Sequence, residues 1–175
     1  MYLVWLSISI DVLREAAMIP ADRKDAASQT ASGRKRAADL LARAERSELL
    51  AVFDALPQKP VTHQVRGPET GLVMVRGRIG GGGAPFNLGE VTVTRATVRL
   101  DTGSVGHAQA LGTDREKARL AAIFDALWQE DATKDFVEQA LLLPIAERIA
   151  DAERRKADET AATRVDFFTM VRGDN

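Results

Sequence analysis

The chain has 175 residues, 45% of them hydrophobic and 28% charged, which fits one soluble globular domain with a core of its own. Its net charge of -1 gives no overall basic field, so neither nucleic acid nor a membrane surface is expected as a partner. With no cysteine there is no disulfide, no thiolate nucleophile and no cysteine-ligated iron–sulfur cluster, and two histidines are too few for a three-histidine zinc site, so no cofactor or metal is expected on this chain.

Met1–Ile10 is apolar and uncharged. It is short of the about 20 residues that span a bilayer, and it lacks the basic start of a signal peptide. Asp11–Pro20 reads as a weak helix, and the Ala/Ser/Asp/Lys run up to Gly33 as a linker. Residues 1–33 are therefore expected to be a variable, dispensable N-terminal extension, disordered or weakly helical. Met18 is an alternative start, and a cleaved leader is the lesser option. Residues 34–175 form the domain.

Arg34–Ala44 carries Ala38, Leu41 and Ala42 at helical spacing. Ser47 is placed to cap a second helix with Leu49, Leu50, Val52, Phe53 and Leu56 as its buried stripe, and Pro57 ends it. After Pro60 the period changes to two. Val61–Arg66 and Leu72–Ile79 read as strands joined by a Gly67–Gly71 turn; Glu90–Leu100 and Val105–Leu111 follow, linked through Asp101–Thr102–Gly103. Such short links favour an antiparallel meander. Thr113 with Glu116 forms a capping box for a helix whose stripe is Leu120, Ile123, Phe124, Leu127 and Trp128. A shorter helix is expected over Lys134–Leu142, and Pro144 opens a longer one to about Ala162 with a charged, solvated outer face. The class is α+β: an antiparallel β-meander sheet covered by helices, with a C-terminal strand.

Gly80–Gly83 and the following Ala84–Glu90 invite a phosphate-loop reading, since glycine-rich backbone can aim N–H groups at an anion. No Lys-Ser/Thr follows, and the next segment is a strand instead of a helix, so neither nucleotide fingerprint is met. A hairpin connection or partner-docking loop is the simpler reading. Arg66, Arg76, Arg78, Arg95 and Arg99 surround it, and alternation puts Arg95 and Arg99 on one face. Arg78, Arg95 and Arg99 are the candidate phosphate contacts, against plain ion pairing with Glu69 and Glu90. His63, His107, Glu69 and Glu90 assemble into no nucleophile–base set, so the catalytic residues are unknown.

The chain closes with RVDFFTMVRGDN, Arg164–Asn175. Read as a strand, it is apolar on both sides: Val165, Phe167 and Val171 on one, Phe168 and Met170 on the other. A strand of that kind has to be sandwiched by the rest of the fold or by another protein. Candidate interface residues are Arg164, Phe167, Phe168, Met170 and Arg172, together with Phe86, Asn87 and Glu90 of the central loop.

This closing segment resembles the C-terminal signature of the PhnG family, a subunit of the bacterial carbon–phosphorus lyase system. RGPETGLVMVRGRIGGGGAPFNLGEVTVTRATVRL, from Arg66 to Leu100, and TGSVGHAQALGTD after it match the same family, so the resemblance covers roughly residues 34–175. The matching positions are Glu69, Thr70, Gly71, Gly82, Phe86, Gly89, Thr92, Arg95, Arg99, Gly106, Gly112, Asp114 and Arg164 to Gly173. After Gly112 the family usually has Arg-Asp-Lys. Here the run is Thr113–Asp114–Arg115, and Arg119 replaces a commonly acidic residue.

The resemblance implies a core assembly with PhnH-, PhnI- and PhnJ-type subunits and a PhnL-type ATPase. Its first step displaces adenine from ATP by methylphosphonate, giving ribose 1-methylphosphonate 5-triphosphate. It implies a nucleosidase-like PhnI subunit and a radical PhnJ subunit, with this chain a cytoplasmic accessory to the transferase step. ATP and alkylphosphonate are then substrates of the complex. A purely structural scaffold and a stand-alone nucleotide-binding enzyme are the alternatives.

Overall fold

The computed structural model describes residues 21–78 and 83–163, with side chains from residue 31 onward. Helices α1 (Ala21–Arg43) and α2 (Arg46–Asp54) precede strands β1 (Thr62–Gly77), β2 (Phe86–Leu100) and β3 (Val105–Leu111). Helix α3 (Arg115–Trp128), α4 (Asp131–Val137), a π-helical turn (Glu138–Leu142) and α5 (Leu143–Ala162) follow. The three strands form one antiparallel sheet in the order β1-β2-β3, as expected of an α+β meander. The C-terminal strand expected over Arg164–Asn175 lies outside the described residues, as do Ile79–Gly82.

Alternation on β2 decides which side of the sheet is covered. Thr94, Ala96, Val98 and Leu100 are buried, whereas Arg95 and Arg99 are exposed. The buried side meets α3, which lies across β2 and β3. Leu120, Ile123, Phe124, Leu127 and Trp128 are all buried as their spacing requires, and so are Ala118, Ala121, Ala122 and Ala126. From Leu120 on, α3 is therefore apolar nearly all round and packed against the sheet, α1, α2 and α4, while its first turn stays charged and partly exposed. Small side chains let the helix come close. At Gly106 an added Cβ would overlap the Ala122 carbonyl oxygen and lie 2.6 Å from the Ala126 nitrogen, so β3 must be bare there.

Several local expectations are corrected. The strands expected on either side of Gly67–Gly71 are one strand, β1, so the meander has three strands among the described residues. Pro68 is tolerated because β1 is a sheet edge, and register shifts between Gln64/Arg66 and Arg66/Glu69 absorb the surplus residues as bulges. β2 starts at Phe86, ahead of the expected Glu90, because pairing with β1 continues past a shift at Val75/Arg76. The linker reading fails over 21–33, which belongs to α1; the helix continues through Gly33, whose Cα packs near the Trp128 ring.

The caps also move. Glu45 precedes α2 in place of Ser47, and its N–H donates to Glu48 Oε2 at 2.7 Å. Asp114 caps α3 in place of Thr113, with Oδ1 accepting from the Lys117 N–H at 2.9 Å. The single helix expected over Lys134–Leu142 is α4 followed by the π-helical turn. That turn places Glu138 to accept from Trp128 Nε1 at 3.0 Å and from Arg36 Nη1 at 2.6 Å, tying it to α3 and α1.

Candidate functional site

The helix-free side of the sheet gathers the polar groups that the sequence singles out. Glu69 stands opposite Arg95 in the β1–β2 register, and Arg95 Nε donates to Glu69 Oε1 at 2.6 Å. Arg66 Nε reaches the same oxygen at 2.7 Å. The hydrogen bond from Arg95 holds the Glu69 carboxyl below the usual range against slight desolvation, and the nearby Arg66 charge acts in the same direction. Two guanidinium groups on one carboxylate leave a net positive charge at the surface.

Arg99 shares this face with Arg95, as alternation requires, and is paired in register with His63. His107 Nδ1 lies 3.0 Å from Thr97 Oγ1 between them, and His63 contacts Asp101. An open cleft of about 240 Å³ beside the cluster is lined by Glu69, Thr70, Gly71, Leu72, Val73, Val93, Arg95 and Gln109. Its chemistry is that of an exposed anion-attracting surface.

Arg78 does not join it. Gly77 is paired with Phe86 at the far end of the hairpin and ends β1, so Arg78 follows that strand, nine positions on from Glu69. At a rise of about 3.3 Å per residue that is roughly 30 Å, too far for Arg78 to share one cradle with Arg95 and Arg99. Glu69 and Glu90 do not converge either. Glu90 is paired with Met74, on the opposite side of the sheet from Glu69 and Arg95.

A second polar constellation went unnoticed in the sequence. Asp125, on α3, is buried and accepts from Arg34 Nε at 3.2 Å on Oδ1. Its Oδ2 accepts from Arg34 Nη2 at 2.8 Å and from the His107 N–H at 2.8 Å. Val105 O accepts from Arg34 Nη2 at 3.2 Å and Gln129 Nε2 at 2.8 Å. The Asp125 hydrogen bond raises the Arg34 pKa further, against partial desolvation. Each Asp125 oxygen is occupied, so this carboxylate clamps the edge of β3 and is no free base. Its sequence signal is a single acid inside AAIFDALW, where every neighbour on the helix is apolar.

The far end of the β1–β2 hairpin is apolar and exposed. Phe86, Asn87 and Glu90, expected at a partner interface, are all exposed there. The structure adds Leu72, Val73, Met74 and Leu88 from the same hairpin, and Leu111 from β3. The run LVMV at 72–75 signals this directly, because four successive apolar residues make both faces of a strand apolar. Arg164, Phe167, Phe168, Met170 and Arg172 lie outside the described residues. Among the described residues no three His, Asp or Glu side chains are grouped to hold a metal ion, and no helix is long and apolar enough to cross a membrane.

Residues 32–173 match the family described as phosphonate metabolism protein PhnG. The alpha-D-ribose 1-methylphosphonate 5-triphosphate synthase subunit PhnG of Rhizobium meliloti (strain 1021) is 64% identical over 142 residues, which cover 81% of this chain and 90% of that relative.

Proposed function

The chain belongs to the PhnG family of phosphonate metabolism proteins, and from that premise we propose that it is a subunit of a ribose 1-methylphosphonate 5-triphosphate synthase. The observation that carries this reading is the 64% identity to a synthase subunit over nearly that relative's whole length. In the reaction a phosphonate oxygen attacks the anomeric carbon of ATP. The bond from that carbon to adenine breaks, and adenine leaves with the bonding pair.

In this reading the groups that activate the leaving base sit on a PhnI-type subunit, and this chain supports them. PhnH- and PhnJ-type subunits and a PhnL-type ATPase complete the cytoplasmic assembly. Its contribution is to shape the site so that phosphonate, rather than water, reaches the anomeric carbon. The net positive surface of Arg66, Arg95 and Arg99 supports a role in holding anionic substrate near the partner's site. ATP with methylphosphonate and the PhnI-type subunit, assayed with and without this chain, tests the role. The chain is expected to move product from ribose triphosphate toward the phosphonate adduct. An unchanged ratio of the two products refutes it.

The exposed ion pair of Arg95 with Glu69 favours one other reading, a scaffold whose arginines serve solubility and local structure. It requires Arg95→Ala and Arg99→Ala to leave synthase activity intact.

A further inference from the structure

On the helix-free side of the sheet the side chains fall into rows across the strands. Glu69, Arg95 and Gln109 form one row, and Gly71, Val93 and Leu111 form the next. Val73 and Val91 follow. Because Gly71 has no side chain, a gap opens on β1 between Glu69 and Val73, and there lies the cleft of about 240 Å³. A Cβ added at Gly71 would meet nothing within 4 Å. One end of the cleft is cationic and polar, at Arg95 and Gln109, and the other is apolar, at Val73 and Val93.

Glu69 sets the guanidinium groups at the polar end. Its Oε1 takes Arg95 Nε at 2.6 Å and Arg66 Nε at 2.7 Å, which holds two cations within two hydrogen-bond lengths of each other. An arginine engaged through Nε keeps both terminal nitrogens for an outside acceptor. Among the described residues those nitrogens of Arg66 and Arg95 have no hydrogen-bond partner. Gln109 adds a carboxamide beside Arg95, and Glu69 Oε2 leaves one acceptor for an anion that still carries a P–OH.

Size and chemistry narrow the occupant. Sites for drug-sized molecules enclose about 300–1,000 Å³, so this smaller cleft suits a small anion and not a whole nucleotide. Inorganic phosphate would use the polar end alone. A short alkylphosphonate uses both ends, with its oxygens on the guanidinium and carboxamide groups and its carbon on Val73 and Val93.

We propose that this cleft is the subsite for the alkylphosphonate that the synthase consumes, with Glu69 positioning the two arginines. The inference deepens the subunit reading above and takes its substrate from it. Initial rates of the assembled synthase, with methylphosphonate and ATP varied in turn, test it. Gly71→Val fills the cleft, removes no charge and suits a strand. It is expected to raise the half-saturating methylphosphonate concentration about tenfold, with that of ATP and the limiting rate unchanged. Arg95→Ala and Gln109→Ala should act in the same direction. Glu69→Ala should do so as well, and Glu69→Gln, which keeps an acceptor for the arginines, should recover most of the loss.

Nuclear magnetic resonance titration of the unsubstituted full chain reads the same site directly. Methylphosphonate is expected to move the amide signals of Gly71, Val93 and Gln109, and to bind about fourfold more tightly than inorganic phosphate, as one buried carbon provides. Variants that shift the half-saturating ATP concentration instead assign the cleft to the triphosphate. Variants that shift neither reduce the arginines to a surface ion pair. Each of these results overturns the proposal, and so does inorganic phosphate binding as tightly as methylphosphonate or an absence of shifts at the three amides. Methylphosphonate binding at those amides by a chain that joins no synthase overturns the subunit reading while the site stands.

Discussion

Replacing Asp125 by alanine tests how the helix layer is fixed to the sheet. The side chain is 2% exposed and accepts three hydrogen bonds, two from Arg34 and one from the His107 N–H. Hydrogen bonds involving a charged group contribute about 1.5–3 kcal/mol, and removing one partner of a buried pair costs about 3–5 kcal/mol. Arg34 is 37% exposed and recovers water when its partner goes, so the low end applies. The expected loss is about 3 kcal/mol, or roughly 6–12 °C in Tm for a chain of this size.

Urea unfolding followed by circular dichroism measures it, with the denaturant slope unchanged. Asp125→Asn should fall nearly as far, because its amide turns donors toward the Arg34 guanidinium. Arg34→Ala is also destabilising, and the double variant should cost about 1.5–2 kcal/mol less than the sum of the singles, because each single strands a partner. A loss under about 1 kcal/mol for Asp125→Ala, or additive single and double variants, refutes the clamp.

Gly106→Ala places a methyl against the backbone of Ala122 and Ala126, so α3 has to lift from β3. The expected cost is about 3 kcal/mol, at the top of the usual range for overpacking, and a loss below about 1 kcal/mol in the same urea assay refutes it. Glu48 gives an acid-side prediction. Burial alone would raise its pKa, but the paired bonds from Arg148 at 2.7 and 3.0 Å and the Glu45 N–H reverse that, and the folded value lies below 4.5. A carboxyl depressed on folding stabilises above its unfolded pKa and loses that contribution as pH falls through the folded one. The Tm advantage of the parent chain over Glu48→Gln is therefore expected at neutral pH and should close below about pH 4.5. A gap that stays constant across that range refutes the assignment.

Periodicity carried most of the fold. The stripe from Leu120 to Trp128 located the central helix, and alternation alone placed Arg95 and Arg99 on a common face. Pro68 and its flanking glycines misled, because the same residues that make a turn also make a bulge on an edge strand, and only pairing partners far along the chain distinguish the two. The clustering of Arg78 with Arg95 failed for a related reason. Closeness in sequence around a glycine loop becomes distance when the loop is the tip of a long hairpin. Asp125 was hidden because its partners, Arg34 and His107, come from elements distant in sequence. An acid surrounded by apolar helical neighbours was the available warning, since a charge there requires a partner.

The Asp125 clamp has a consequence for association. A ribbon elongates without limit only when every newcomer brings a second receptive side, as in head-to-tail polymers. Here the start of β3 is already occupied, at the Val105 carbonyl and the His107 N–H, by the chain's own guanidinium, carboxamide and carboxylate groups. A strand arriving at that end of β3 would have to displace these groups before it could pair, which biases the sheet against elongation through β3.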